Sequence, residues 1–149
     1  MTEIYVDADA CPVKDEVVRV AERHKLPVHM ISDGGIRPSR HPLVTTVIVD
    51  QGPDAADDWI AERIATGDIA VTNDILLAVR CIESGAHVIR PNGEILDERS
   101  IGGVLATRNL MTDLRSAGKI TGGPKAFSKK DRSTFLDFLE RTGQAAKRR

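Results

Sequence analysis

The residues best equipped for chemistry in this sequence are aspartates placed where strands end. Asp7 and Asp9 follow Ile4, Tyr5 and Val6, a β-favouring run, and precede Pro12, which suits the first turn of a helix, where a missing N–H costs nothing. Side chains alternate along a strand, so carboxylates at i and i+2 are expected to point the same way, beyond its carboxyl end. One of the pair can cap the following helix, but not both. Asp74 repeats the theme in Thr72-Asn73-Asp74, after the apolar run Ile69-Ala70-Val71. Asp54, Asp57 and Asp58 crowd the start of another helix. Acids there suit the helix dipole, yet like charges at that spacing repel, so the group must face water or a cation. Open α/β sheets bind ligands at the carboxyl ends of their strands, and Asp7, Asp9, Asp54 or Asp57, and Asp74 are expected to gather there. Such a gathering implies a hard divalent cation held by oxygen ligands, Mg²⁺ or Mn²⁺. The chemistry it implies is phosphodiester hydrolysis. The sequence contains no HExxH, GxSxG or GxGxxG arrangement to compete with it.

A second group of candidates is basic. Lys125, Lys129, Lys130 and Arg132 flank a Gly-Gly-Pro turn and the start of the last helix, where backbone N–H groups also favour anions; they form a candidate phosphate and nucleic-acid site. Arg37 and Arg40, in a Gly- and Pro-rich loop that also holds His41, are candidate substrate contacts. Cys11 is another if a helix N-terminus stabilises its thiolate, although a lone cysteine there is more often a small buried side chain.

The elements that must position these groups follow from periodicity. Val13, Val17, Val20 and Ala21 predict a helix over 13–24, ended by Leu26-Pro27, and strands are expected over 28–31 and 43–49. The ten-residue loop between those strands would have to cross the sheet unaided. Helices are expected over 54–65, with Trp59 in the core, over 75–82 and over 101–116, the last capped by Ser100 and ended by Gly118. The 85–91 segment reads as an edge strand, stopped by Pro91 and Asn92-Gly93. Ser128 and Asp131 make a capping-box-like start to a helix carrying Phe135, Leu136, Phe138 and Leu139. Strands alternating with helices predict an α/β fold with a largely parallel sheet covered on both faces.

A chain of 149 residues is expected to form one domain, 1–149, with its own core. It has no apolar run of membrane-spanning length and no basic-then-apolar leader, so the expected location is the cytoplasm, with no membrane partner. Cys11 and Cys81 are too few for a disulfide framework or a zinc site. The net charge of −1 is unevenly spread: residues 1–114 carry 11 Lys and Arg against 19 Asp and Glu, and residues 115–149 carry 10 against 3. An acidic body with a basic segment at 115–149 suits carboxylates that hold cations and a segment that meets phosphates. Composition leaves a homo-oligomer open.

Four motifs in order, Asp-Ala-Asp-Ala-Cys-Pro at 7–12, Gly-Pro-Asp-Ala-Ala-Asp-Asp-Trp-Ile at 52–60, Gly-Asp-Ile-Ala-Val-Thr-Asn-Asp-Ile at 67–75 and Thr-Gly-Gly-Pro-Lys-Ala-Phe-Ser-Lys-Lys-Asp-Arg at 121–132, resemble the bacterial YaiI/YqxD family, also designated UPF0178. The resemblance spans nearly the whole chain. The family is similar to PIN-domain nucleases, which implies a three-layer PIN-like domain, a sheet ordered 3-2-1-4-5 and an acidic Mg²⁺ site at its carboxyl edge. Carried over, Asp7 matches the first acid of that site, Asp57 the helix acid and Asp74 the acid of the Thr-x-Asp motif. Asp9, Asp54, Asp58 and the Gly-Gly-Pro segment are additions to the pattern. The implied function is Mg²⁺- or Mn²⁺-dependent hydrolysis of RNA or single-stranded nucleic acid. Two alternatives stand beside it: a haloacid-dehalogenase-like phosphatase with Asp7 as nucleophile, and a non-catalytic RNA-binding module on a PIN-like shell.

Overall fold

A computed structural model describes residues 2–9, 11–52, 54–116, 118 and 127–147. The chain runs β1 (Ile4–Asp7), α1 (Lys14–His24), β2 (Val28–Ser32), β3 (Val44–Ile48), α2 (Ala55–Arg63), β4 (Ile69–Val71), α3 (Ile75–Glu83), β5 (His87–Ile89), β6 (Ile95–Leu96), α4 (Ile101–Ser116) and α5 (Lys129–Lys147). The sheet order is β3-β2-β1-β4-β5-β6, parallel throughout except for the antiparallel β5–β6 pair. The expected 3-2-1-4-5 order is present, and β6 extends it.

Alternation along the strands builds two cores. Ile4, Val6 and Ala8 face one side, with Val17, Val20 and Ala21 of α1 and Phe135 and Leu139 of α5. Tyr5 faces the other, with Ile60 of α2, Leu77, Ala78 and Cys81 of α3, and Val104 and Leu105 of α4. The result is three layers, α1 and α5 over one face and α2, α3 and α4 over the other. Because the strands are covered on both faces they read as continuous apolar runs, as in parallel sheets generally. No helix among the described residues is long and apolar enough to cross a membrane.

Helix ends explain much of the local placement. Lys25 closes α1 in the left-handed region at φ 56°, its amide reaching Ala21 O. Ser128 and Asp131 exchange bonds, Ser128 N to Asp131 Oδ2 at 3.0 Å and Asp131 N to Ser128 Oγ at 3.1 Å, so the expected capping box starts α5. The parallel β2–β3 connection contains no helix; Ile36 in that loop packs on the first core and fills part of the space a crossover helix would occupy.

Two expectations need correction. β5 is not an edge strand: Asn92-Gly93 does not stop the sheet but turns the chain back, with Arg90 N donating to Glu94 O at 2.8 Å, so that Ile95 and Leu96 pair with β5. Trp59 is half-buried, not enclosed in the core, and Arg63 stacks over its ring at 4.2 Å.

Candidate functional site

The carboxyl edge of the sheet is built by short apolar strands that stop abruptly. β1 ends at Asp7, β4 ends one residue before Thr72, and β2 ends at Ser32; the Asp7–Ile31 register brings these ends level. Thr72, buried at 2% exposure, links two of the acids through one hydroxyl. Its Oγ1 donates to Asp7 Oδ2 at 3.0 Å and accepts the Asp74 amide at 2.9 Å. Asp74 caps α3, its Oδ1 accepting the Leu77 amide at 3.1 Å.

Asp57 enters from the first turn of α2. Burial pushes its carboxyl up to about 7, aided by the charge of Asp74, by a hydrogen bond that the protonated Asp57 donates to Asp74, and by the charges of Asp7 and Asp54. Asp7 is also raised, first by burial, with Asp74 and Asp9 adding to the effect and the Thr72 hydroxyl opposing it. Asp7, Asp57 and Asp74 therefore share one electrostatic neighbourhood, reached from three separate elements.

The other sequence candidates are placed differently. Asp9 turns toward β2, where Ser32 Oγ donates to its Oδ1 and the Asp33 amide to its Oδ2 at 2.9 Å. It lies beyond the strand pleat, so alternation no longer governs it, and its charge reaches Asp7 without sharing its partners. Asp54 occupies the N-cap position of α2 with no side-chain cap bond. Asp58 pairs with Arg80 of α3 at 2.8 Å and is exposed. Cys11 is buried in the first core with its thiol pushed up to about 11 by burial, so it is a packed thiol rather than a thiolate. Arg37 and Arg40 are exposed on the β2–β3 loop.

The start of α5 reaches this same edge. Arg132 Nη1 donates to Pro12 O at 3.2 Å and to Glu16 Oε2 at 2.9 Å, seating the helix against the turn that follows β1. Its charge is thus already met by a carboxylate. Lys129 and Lys130 are exposed in the same first turn. Lys125 and the Gly-Gly-Pro turn lie outside the described residues.

Three participants were missed by sequence reasoning. Lys14 Nζ donates to Ala8 O and Cys11 O, both at 3.3 Å, and ties down the turn that carries Asp9. Ser32 holds Asp9. Arg90, one residue past β5, donates from Nε to Asn73 Oδ1 at 3.2 Å and pairs through Nη1 with Glu94 at 3.1 Å. The signal for Ser32 and Arg90 was available: Ser32 ends β2 and Arg90 follows β5, both at the same edge as Asp7 and Thr72. Asp68 is buried at the opposite edge, accepting the Glu3 and Ala65 amides at 3.0 and 2.9 Å, far from Asp7, so it cannot join Asp7 in the Gly-Asp motif of a haloacid-dehalogenase-like phosphatase.

The donor set of Asp7, Asp57 and Asp74 is all oxygen and anionic, which suits a hard divalent cation. Among the described residues no group of three or more His, Cys, Asp or Glu side chains is placed closely enough to hold a metal ion as it stands, so Asp57 would have to approach Asp7 and Asp74 to complete such a site.

Comparison with known proteins places the chain among relatives. The family model described as "Uncharacterized BCR, YaiI/YqxD family" matches residues 5–145. A UPF0178 protein of Rhodopseudomonas palustris is 64% identical over 140 residues, covering 94% of this chain and 89% of the relative. UPF0178 proteins of Roseobacter denitrificans and Parvibaculum lavamentivorans are 59% and 58% identical, covering 95% and 100% of this chain and 95% and 98% of the relatives. No solved structure matches. With four sequence motifs, the sheet they form and matches over nearly its whole length in agreement, the chain belongs to the YaiI/YqxD family, UPF0178.

Proposed function

We propose that this protein is a metal-dependent phosphodiester hydrolase acting on RNA or another single-stranded nucleic acid, with a PIN-like acidic centre at the carboxyl edge. The observation that carries this reading is the meeting of Asp7, Asp57 and Asp74 from β1, α2 and the β4–α3 junction. A carboxyl that burial, and then the charges of neighbouring carboxylates, keep protonated near neutrality is one that a bound cation would relieve. Asp7, Asp57 and Asp74 would hold Mg²⁺ or Mn²⁺, with Asp54 next in reach of Asp57. A cation there neutralises charge and polarises a phosphoryl oxygen.

The chain's own part is positional and protolytic. Thr72 fixes Asp7 and Asp74 relative to each other, and the Leu77 amide fixes Asp74. Water is the nucleophile: its oxygen bonds to phosphorus, its proton passes to a carboxylate oxygen of Asp57, which a bound cation would keep ionised, and the bond from phosphorus to the leaving sugar oxygen breaks with its electron pair going to that oxygen, which takes a proton from solvent. Lys129 and Lys130 flank the edge as phosphate contacts, with Lys125 the further candidate.

The test pairs melting with cleavage. Mn²⁺ at a hundredfold excess over Kd should stabilise the wild type by about 2.7 kcal/mol, and Asp7→Asn and Asp74→Asn should respond little. The wild type should cut single-stranded RNA or DNA with Mn²⁺ while Asp7→Asn does not. Equal metal responses in all three proteins would sink the site. A phospho-aspartate trapped on Asp7 would favour the phosphatase, and Mn²⁺ binding with no cleavage of any nucleic acid would favour the binding module.

A further inference from the structure

Beside the acidic edge, between the start of α3 and the first half of α4, lies a groove of about 580 Å³. Its floor is apolar, formed by Ile75, the first residue of α3 after Asp74, and by Val104. Gly103 leaves the middle open: a methyl group built there meets nothing within 4 Å. The rim is polar. Arg90, which bonds Asn73 at the acidic edge, stands at one end with its partner Glu94, and Thr107 and Arg108 stand on α4. Arg108 is exposed, and among the described residues its guanidinium meets the side chain of its neighbour Asn109, at Oδ1, at 3.4 Å.

We infer that this groove receives one unpaired nucleotide of the bound strand. The inference rests on the hydrolase reading for the placement of the adjoining phosphate. An apolar floor takes a base face, the exposed guanidinium of Arg108 takes phosphate, and Glu94, held in place by Arg90, takes a donor from a base edge or sugar. The volume lies in the range of sites that take ligands of a few hundred daltons. A base paired in a duplex keeps its faces stacked and its edge occupied, so only an unpaired nucleotide brings an apolar face and a phosphate to the groove together.

The probe is adenosine 5′-monophosphate, followed by methyl NMR on the full chain without metal. It should shift the methyl signals of Ile75, Val104 and Thr107, and inorganic phosphate at the same concentration should shift them less. Gly103→Leu, which fills open space without touching the core, should abolish the shifts. Arg108→Glu should weaken binding at least tenfold. Both variants should melt like the wild type and keep its Mn²⁺ response. Unmoved groove methyls, or equal shifts in the variants, would overturn the inference even in a protein that cuts nucleic acid. Groove binding that behaves as expected in a protein with no metal response would keep it, and would count against the hydrolase reading alone.

Discussion

At the scale of single residues, Asp57 sets how stability answers pH. Its carboxyl is raised from an ordinary aspartate value to about 7 in the folded chain, so between those values the native state binds more protons than the unfolded state. Stability therefore falls as pH rises through that window, the reverse of a salt-bridged aspartate. Denaturant midpoints measured from pH 4 to pH 8 without divalent cations should decline more steeply in the wild type than in Asp57→Asn; identical pH profiles in the two would remove Asp57 from this role. Thr72 makes a second case. Valine has the same shape but neither donates to Asp7 nor accepts from the Asp74 amide. Thr72→Val should cost about 1–3 kcal/mol by urea unfolding, since it strands buried polar groups, whereas Thr72→Ser should recover most of the loss.

At the scale of elements, the β5–β6 turn and α5 are locked through Gly93. Its φ is 93°, and a methyl there would stand 2.5 Å from Thr134 Cγ2 and 2.8 Å from the backbone of Thr134 and Phe135. Gly93→Ala must strain the turn and push it off α5, so thermal melting should fall by more than the ~1 kcal/mol typical of an unfavourable glycine replacement. A variant that melts unchanged would mean that the turn and helix are not in contact in solution. This junction also shows where sequence reading stopped. α1, β4 and the capping box of α5 were legible because their signals are local: apolar spacing, a short run before Thr72, Ser128 with Asp131. β6 has two residues, too few to show a period, and Asn92-Gly93 reads equally as a stop or a reversal until the partner strand is known. The three acids of α2 were indistinguishable for a similar reason. What separates Asp57 from Asp58 is Arg80 on α3, twenty-two residues on, and no spacing rule connects those helices.

At the scale of the whole molecule, charge is sorted in space as well as in sequence. Asp7, Asp57 and Asp74 meet at one edge, and Lys129 and Lys130 stand exposed on the helix start that Arg132 pins beside it. Replacing Lys129 and Lys130 by Ala should weaken binding to a single-stranded oligonucleotide for every sequence. It should also flatten the dependence of log K on log salt by roughly 0.7 for each phosphate that is no longer neutralised. The Mn²⁺ response should persist, and an unchanged salt slope on an intact fold would leave both lysines to solvent. The seat of Arg132 on Glu16 has a further consequence, in time rather than space. The two residues are 116 positions apart, so at ~5–20 residues per second α5 leaves the ribosome about 6–23 s after the turn it completes. Until then Glu16 is without its guanidinium, and the apolar face of α1, with Val17, Val20 and Ala21, has no Phe135 or Leu139 to cover it. The nascent chain thus carries its acidic centre first and its basic flank last, and the apolar face of its first-made helix stays uncovered during the interval.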